Sequence, residues 1–381
     1  MNSRLTICSV GDLMICDSPL YASVGVGSRY PALRQKLFAG CRQLFAEADI
    51  TVGNFETVVY KPKNKSLREQ QMSCPPAVIS DLKEAGFTVL HLANNHCMQH
   101  GTAGYEQTKR FCKKYGIETV GSRDQAPCFI EKNGQRAAFL SLCIHLEWYE
   151  PDHILYEDRI GKLIGDVRAL RQAEPQTLIV TSVHWGDEFA DHPSNAVIAL
   201  AHRLAECGAD VILGHHPHVY QGAEQYQGSV ILYSQGNFIS DMVPQLCRQT
   251  AVARIVSEFD GQHRKLSYEL LPFYIEDSFV PMPADGGWIA ERQALLEKAL
   301  NGQFTDEQYW ARIKANHAKG HGAFKRYFKG HIRDYRLAVS SRMLAEFVGR
   351  KVKRIIGTTT DGRVSSMDPA IREALRQTES Q

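Results

Sequence analysis

The residues best suited to chemistry lie in the stretch ILGHHPHVYQG, where three histidines fall within four positions. They are His215, His216 and His218, and they follow an apolar run at residues 210–213 that predicts a buried strand. Imidazoles at the carboxyl end of a strand are placed as metal ligands usually are. The stretch therefore predicts one wall of a metal site.

Four further polar clusters lie upstream, and each follows a predicted strand or its closing glycine. The clusters contain Asp12, Asn54, Glu56, Asn95, His96 and His184. The strands before them are predicted over residues 4–10, 50–53, 88–93 and 177–183. Any one cluster alone is more often a turn or a cap than a site. Five clusters at strand ends predict a common edge where their side chains meet.

The donor types in these clusters are mixed, because carboxylates, amides and imidazoles occur together. This mixture suits Mn, Fe or Zn in a two-metal centre better than Mg or Ca alone. Two such ions lie ~3.5–4 Å apart and clamp the oxygens of an in-line displacement. The chemistry also needs a bridging carboxylate and an acid for the leaving group. We expect a divalent-metal cofactor with two ions.

The elements that must position these residues alternate between strands and helices, which predicts an α/β fold. Helical spacing covers residues 30–48, 76–86, 104–115, 158–172 and 195–207. A final antiparallel pair is predicted over residues 251–259 and 266–274. Three more helices are predicted over residues 288–300, 305–317 and 322–347. We predict a catalytic domain over residues 1–285 and a basic helical extension over 286–381.

The order of the clusters resembles the calcineurin-like metallophosphoesterase superfamily. The motifs GDLM, GNFET, LANNH, VHWGDE, GHHPHVYQG and YSQGNF are similar to its CapA branch, the capsule and poly-γ-glutamate synthesis proteins. The resemblance covers Leu5 to about Phe273. It implies a four-layer α/β/β/α metallophosphoesterase-like sandwich with a C-terminal helical extension, and metals at one edge of the two sheets.

The resemblance also implies roles for individual residues. The implied metal ligands are Asp12, Glu56, Asn95, His184, His216 and His218, with Glu56 as the bridging carboxylate. His96 is implied as the general acid or oxyanion stabiliser. Asn54, His215 and Asn237 are further candidates, and Asn237 is equally well explained as a turn residue that caps a strand.

Two positions depart from the family pattern. Met14 stands where the superfamily has a histidine two residues after the first aspartate, so one metal site is expected to be weak or differently filled. His100 stands where many branch members have an aspartate, which affects the groups behind the ligands.

The bulk composition is that of a globular protein. Of the 381 residues, 44% are hydrophobic and 23% are charged, and no apolar run approaches the ~18 residues needed to span a bilayer. The amino terminus predicts a first strand rather than a signal peptide. Ten cysteines without a C-x-x-C pair indicate reduced thiols. We therefore expect a cytoplasmic location.

Charge is distributed unevenly along the chain. Residues 312–354 hold 13 Lys/Arg and 2 Asp/Glu, whereas the remainder holds 31 and 40. This basic segment predicts an anionic partner, either an acidic polymer or, through peripheral contact, an anionic membrane surface. The default interpretation is a solvated helix face. Nucleic acid is not expected, because no recognised binding module is present.

Two functions are compatible with this sequence. The first is a metal-dependent hydrolase that acts on a phosphoester or an anionic polymer in capsule or poly-γ-glutamate biosynthesis. The alternative is a non-catalytic factor that binds polyanions and assists polymer assembly, with a structural or vestigial metal site. The methionine at position 14 and the basic segment favour the alternative.

Overall fold

The computed structural model of the protein describes residues 3–64, 67–122, 126–144, 160–342, 344 and 368–379. Two β-sheets form its centre. In chain order the strands are β1 (Ser3–Leu13), β2 (Ile50–Asn54), β3 (Val58–Val59), β4 (Ser73–Cys74), β5 (Val89–His91), β6 (Glu118–Val120), β7 (Cys128–Lys132), β8 (Gln135–Cys143), β9 (Leu178–His184), β10 (Val211–His215), β11 (Tyr220–Tyr226), β12 (Ser229–Gln235), β13 (Asn237–Ile239), β14 (Gln249–Phe259), β15 (Arg264–Ile275) and β16 (Pro281–Pro283).

Each sheet has a parallel centre. The first sheet runs β16-β15-β14-β1-β2-β5-β6, with β13 also paired to β1, and the second runs β11-β12-β10-β9-β8-β7. In the first sheet β1, β2, β5 and β6 are parallel, and in the second β8, β9, β10 and β12 are parallel. The carboxyl ends of parallel strands meet at one edge of a sheet, so each sheet has one such edge.

Helices cover the outer faces of both sheets. They are α1 (Val26–Leu33), α2 (Arg42–Ala46), α3 (Leu67–Gln70), α4 (Ala77–Ala85), α5 (Gly101–Tyr115), α6 (Ile160–Ala173), α7 (Asn195–Glu206), α8 (Gln245–Arg248), α9 (Gly287–Leu300), α10 (Asp306–His331) and the last helix, Asp368–Glu379. A short 3₁₀ turn occupies Pro19–Tyr21.

Three apolar clusters hold these layers together. The central cluster fills the space between the sheets, where Ile7 and Val52 of the first face Val180 and Leu213 of the second. A second cluster lies under α4 and α5, and a third lies under α6 and α7. Strands buried on both faces carry near-continuous apolar runs, as β10 does. The predicted four-layer α/β/β/α sandwich is confirmed.

Three predicted helices differ from the structure, and the one predicted over residues 322–347 is interrupted by turns after α10 ends at His331. The helix predicted over residues 30–48 is two short helices, α1 and α2, joined by turns. The break predicted between residues 317 and 322 is absent, because α10 continues through Gly320 and Gly322. A glycine costs a helix about 1 kcal/mol. Gly320 is retained where a Cβ atom would lie 3.2 Å from Phe189 and 3.4 Å from Pro244.

The helices after residue 286 pack on the sandwich. On α9, Gln293 donates from Nε2 to the Ala223 carbonyl at 3.0 Å. On α10, Phe324 and Phe328 are buried against Tyr21. These aromatic side chains therefore do not face outward, as membrane contact would require. The predicted division at residue 286 stays a prediction, and residues 345–354 of the basic segment lie outside the described residues.

Two sequence expectations concern cysteine and membrane segments. All ten cysteines are free and buried. Across the described ranges, no helix has both the length and the apolar character needed to cross a bilayer.

Candidate metal centre

The predicted site residues meet at the rim where the carboxyl ends of both sheets come together. Asp12 pairs in register with Asn54 on the neighbouring strand of the first sheet. His184 and His215 pair in the same way on β9 and β10 of the second. A hydrogen-bond contact of 3.1 Å between Asp12 Oδ1 and His215 Nδ1 joins the two rims.

A close backbone contact makes this rim possible. A Cβ atom on Gly11, directly before Asp12, would lie 1.9 Å from the Gly236 carbonyl oxygen. The backbone nitrogen of Asp12 donates to the same carbonyl at 2.9 Å. Only glycine allows this approach, and it brings the turn before β13 beside the end of β1.

Glu56 lies at the centre of the cluster. Its carboxylate is fully buried, and neither oxygen has a hydrogen-bond partner among the described residues. Its Oε1 atom lies 3.7 Å from His184 Nε2 and 3.9 Å from both His218 Nε2 and His96 Nε2. Burial and the neighbouring negative charge of Asp12 raise the pKa of Glu56 well above its usual range.

Two sets of three ligands share this carboxylate. Glu56, His184 and His216 form one set, and Asp12, Glu56 and His218 form the other. Within each set the donor atoms lie within 4.8 Å of one another, and every member is buried. A carboxylate common to two ligand sets is the arrangement that a two-metal centre requires.

The first set is completed by amide and imidazole groups. His184 Nε2 lies 3.1 Å from His216 Nδ1 and 3.1 Å from Asn95 Oδ1. Three atoms that can each ligate a cation therefore lie close together, two of them at hydrogen-bond distance from His184 Nε2. Asn54 sits behind them, with Nδ2 2.8 Å from Asp12 Oδ1 and 3.3 Å from His184 Nδ1.

The second set is oriented from behind by Asn237. His218 Nδ1 donates to Asn237 Oδ1 at 2.9 Å, and Asn237 Nδ2 donates to the Cys247 carbonyl at 3.1 Å. The second bond fixes which end of the amide faces the ring, so the proton of His218 lies on Nδ1. Its Nε2 atom lies 3.9 Å from Glu56 Oε1 and is the ring atom that a cation would use after displacing its proton.

Backbone strain occurs within the histidine loop. His216 has φ 98° and His218 has φ 57°, both in the left-handed region that non-glycine residues rarely adopt. Such conformations persist where surrounding structure imposes them, and they concentrate at functional sites. Here they turn both rings back toward Glu56.

The electrostatics of the cluster are dominated by burial and close opposite charges. Burial would lower the pKa of His218, but the carboxylates of Glu56 and Asp12 raise it to about 10. Burial would raise the pKa of Asp12, yet His215 and His218 hold it well below its usual range. Burial lowers the pKa of His96 to about 4.

His96 stands at the mouth of the cluster. Its backbone nitrogen donates to Asn94 Oδ1 at 3.1 Å, and its ring Nδ1 lies 2.7 Å from Gln99 Oε1. The ring borders a cavity of about 400 Å³ that His218 also lines. Its assigned role as acid or oxyanion stabiliser stays a prediction.

The cavity wall contains residues that sequence reasoning missed. Glu188, His317 and His321 line it together with the predicted site residues. Glu188 lies four residues after the predicted ligand His184, so its position in the sequence could have indicated a place at the site. His317 and His321 lie on α10, far along the chain, and nothing in their surroundings in the sequence marked them.

The two departures from the family pattern also have places in the structure. Met14 lines the same cavity and packs with Cys16 and Met72, and its sulfur lies 3.6 Å from Ser240 Oγ. His100 lies behind the site, where its Nε2 atom is 2.9 Å from the Gln71 carbonyl oxygen. Neither side chain belongs to the two ligand sets.

The donor set fits divalent metals. Buried polar atoms in folded proteins nearly always have partners, and an unpaired buried carboxylate is costly. Neither Glu56 oxygen follows that rule, and its Oε1 atom lies 3.7 to 3.9 Å from imidazole nitrogens of His184, His218 and His96. Imidazole, carboxylate and amide donors together favour Mn, Fe or Zn.

Comparison with known proteins bears on the same residues. The model of the family described as bacterial capsule synthesis protein PGA_cap matches residues 6–242, more than half of the chain. The chain belongs to the PGA_cap family. All residues of the two ligand sets fall inside the matched range, whereas α9 and α10 lie beyond it. The predicted resemblance to CapA proteins is confirmed.

Two relatives have names that refer to capsule or PGA synthesis. "Capsule biosynthesis protein CapA" of Bacillus anthracis is 30% identical over 256 residues, covering 63% of this chain and 61% of that protein. "PGA biosynthesis protein CapA" of Bacillus subtilis is 27% identical, covering 70% of this chain and 72% of that protein. This PGA_cap member thus spans less than two thirds of the B. anthracis relative.

Solved structures resemble the chain more distantly. A phosphatase of Mycoplasma pneumoniae is 13% identical with a TM-score of 0.46, covering 72% of this chain and 95% of that one. The NAD nucleotidase of Haemophilus influenzae is 11% identical with a TM-score of 0.40, covering 84% and 60%. Similarities of this size say nothing about the reaction.

Proposed function

We propose that this protein is a metal-dependent hydrolase that cleaves an anionic polymer or phosphoester during capsule or poly-γ-glutamate synthesis. The observation that carries the proposal is the Glu56 carboxylate, buried without a hydrogen-bond donor and common to two ligand sets. A protein that used this pocket only for packing would gain by replacing that carboxylate with an apolar group.

The proposal assigns two divalent ions to the two ligand sets. His184, His216 and Glu56 would hold one, with Asn95 close by, and Asp12, Glu56 and His218 would hold the other. When bound, such ions polarise the scissile group and lower the pKa of water at the site.

The protein's own residues would orient and shield the reaction. Asn237 fixes the orientation of the His218 ring, and Asn54 fixes the orientation of the Asp12 carboxylate. His96 borders the open cavity, and its role as general acid or oxyanion stabiliser would require a substrate that favours the protonated ring. Apolar side chains on the cavity wall, such as Met72 and Phe189, exclude water from that side.

The family description and the names of the relatives support the substrate class. The family description refers to bacterial capsule synthesis, and the two Bacillus names add capsule and PGA biosynthesis. Within this proposal the substrate is the acidic polymer itself or a phosphoester formed while it is made.

A second candidate function rests on Met14. Its thioether occupies a cavity position beside the ligands where it contributes no hard donor, so a protein that only binds polymer would tolerate it. This non-catalytic assembly factor is distinguished from the hydrolase by turnover.

The decisive experiment combines metal analysis with hydrolysis. Purified protein should contain about two transition-metal ions per chain, and His216→Ala should lose about one of them. Wild type should hydrolyse bis(p-nitrophenyl) phosphate or shorten poly-γ-glutamate, and His216→Ala should do neither. The matched control is His263→Ala, an exposed histidine in the β14–β15 turn.

The outcomes separate the candidates. A protein without transition metal, or a His216→Ala variant with unchanged hydrolysis, would overturn the hydrolase proposal. A protein that holds metal but cleaves neither substrate would support the assembly factor instead.

A further inference from the structure

A second cavity lies between α9 and α10 and has a volume of about 710 Å³. Its charged lining is basic, with two carboxylates, Asp191 and Glu291, against five cations. The cations are Arg292, Lys298, Arg312, Lys319 and Arg326. We call this cavity the α9–α10 cleft. An excess of three positive charges in a concave surface concentrates anions there.

The base of the cleft is held in place by an ion-pair cluster. Asp191 accepts hydrogen bonds from Arg312 at 2.9 and 2.6 Å, and its Oδ2 lies 3.9 Å from Arg292 Nη1. Arg292 is buried, and its Nε atom has no hydrogen-bond partner in the described part of the chain. One carboxylate therefore serves two guanidinium groups, and a buried donor remains for an anion.

The cations on α10 form a regular row. Arg312, Lys319 and Arg326 are seven residues apart, so they lie on one helix face about 10 Å from one another along the axis. A row of evenly spaced cations suits a repeating polyanion better than a single small anion.

The lining also bears on other anionic partners. Between the cations lie small and aliphatic residues such as Ala315, Ala323 and Leu295, and the cleft lining contains no aromatic side chain among the described residues. Nucleic-acid bases therefore find nothing to stack on. A concave cleft is also poorly shaped for a flat lipid surface.

The cleft adjoins the cavity over the candidate metal centre. Pro244 and Gly320 line both spaces. Gly320 is buried, and a Cβ atom there would lie 3.2 Å from Phe189 and 3.4 Å from Pro244. The two spaces are therefore neighbours that share a packed wall at this point.

We infer that the α9–α10 cleft binds a stretch of carboxylate-bearing polymer beside the cavity at the candidate metal centre. The inference rests on the proposed function for its substrate class and adds a separate binding site whose five cations all lie beyond the family-matched residues 6–242. Lys298, Lys319 and Arg326 would contact successive carboxylates, while the Arg292–Asp191–Arg312 cluster would form the base.

The test measures binding of fluorescein-labelled poly-γ-glutamate by fluorescence anisotropy. Lys319→Glu with Arg326→Glu should weaken binding about tenfold or more. The matched control, Lys314→Glu with Lys325→Glu, makes the same charge change on α10 outside the cleft and should change the affinity less than about twofold. Wild-type binding should also weaken steeply with salt.

Further measurements identify the ligand and distinguish the cleft proposal from the hydrolase proposal. Equal weakening by the two double variants, or stronger binding to polyphosphate, duplex DNA or phosphatidylglycerol vesicles than to poly-γ-glutamate, would overturn the inference. Hydrolysis of bis(p-nitrophenyl) phosphate and metal content should be unchanged in the cleft variant. If His216→Ala protein still binds the polymer through the cleft, the binding site stands even where the hydrolase proposal fails.

Discussion

The candidate metal centre and the α9–α10 cleft are built in opposite ways. The metal centre uses strand ends of two sheets, its ligand side chains are buried, and it lies within residues 6–242. The cleft uses two helices beyond that range, and Lys298 and Lys319 on its wall are exposed. Strand ends fix a few donors rigidly, whereas a helix face presents charges in a row. Chemistry and polymer recognition are thus assigned to different parts of the chain.

The largest expected effect comes from Glu56→Gln, which disrupts the candidate metal centre and leaves the α9–α10 cleft intact. The amide cannot bridge two cations, so we predict loss of both metals and at least about a hundredfold lower hydrolysis, since groups behind a metal ligand alone contribute 10–100-fold. Metal content by mass spectrometry and initial rates measure the loss. The affinity for poly-γ-glutamate should stay near that of wild type.

The same variant separates metal loss from misfolding. Gln replaces a buried carboxyl group that is costly to ionise and has no hydrogen-bond partner among the described residues, so its melting temperature should equal or exceed that of wild type stripped with a chelator. Glu258→Gln on the exposed face of β14 is the control for the substitution itself. A Glu56→Gln protein that keeps two ions would refute the role of this carboxylate.

The contrast between the regions also explains what the sequence could reveal. Asp12, Glu56 and His184 were predictable because each follows an apolar strand, and the ends of such strands converge. The alternation of strands and helices also predicts an α/β fold, whereas the four-layer sandwich was implied by the family resemblance. Asp191 and Arg312 were not predictable, because a carboxylate and a cation 121 residues apart have no pairing signal along the chain.

Local sequence patterns did not predict the bounds of α10 or the environment of its basic face, because both depend on tertiary contacts. The sequence predicted separate helices over 305–317 and 322–347, yet α10 is continuous from Asp306 to His331, with Gly320 near Phe189 and Pro244. The basic spacing along α10 was interpreted by default as a solvated face. Only the position of α9 opposite it shows that part of this face is enclosed.

The next largest effect is expected for Asp191→Asn, which changes the base of the α9–α10 cleft. Two guanidinium groups would lose their shared carboxylate, so we predict about 3 kcal/mol lower stability at pH 7. Burial would raise the pKa of Asp191, but hydrogen bonds from His192, Arg312 and Asn316 hold it well below its usual range. The stabilisation therefore exists above the unfolded pKa of about 4 and disappears as pH falls through the folded value.

Polymer binding by Asp191→Asn distinguishes a structural role from a recognition role. Removing a negative charge from the cleft should tighten poly-γ-glutamate binding severalfold, measured by anisotropy at a temperature where the variant is folded. A structural ion pair alone predicts weaker binding that follows the loss of stability. Unchanged or weaker binding would place the polymer elsewhere.

A smaller effect concerns how α10 is attached beside the metal centre. Tyr309 donates a hydrogen bond to Asp187 at 2.9 Å, and burial raises the pKa of Asp187 to about 6. Because the folded pKa exceeds the unfolded one, this group stabilises fully below pH ~4 and the contribution is lost as pH rises through about 6. We predict that Asp187→Asn raises stability by roughly 1–3 kcal/mol at pH 8 and hardly at all at pH 4.

Urea unfolding followed by circular dichroism at the two pH values measures this difference. A variant that is less stable than wild type at pH 8 would show that the folded protein needs the charged carboxylate as acceptor for Tyr309. The sign of the change therefore decides between the two states of Asp187.

The smallest effect is expected for His317, which lies on α10 and lines the cavity at the candidate metal centre. His317 lines the cavity with His218, its ring packs on Phe189, and its buried Nε2 atom has no hydrogen-bond partner in the described residues. We predict that His317→Gln raises KM about tenfold and leaves kcat within about twofold, because a bond to an anionic substrate contributes about 1.5 kcal/mol. Metal content should not change, since His317 belongs to neither ligand set. His331→Gln, on the same helix but bonded to the Tyr327 carbonyl, is the control. A fall in kcat with constant KM would instead move His317 from polymer recognition to the chemistry of the metal centre.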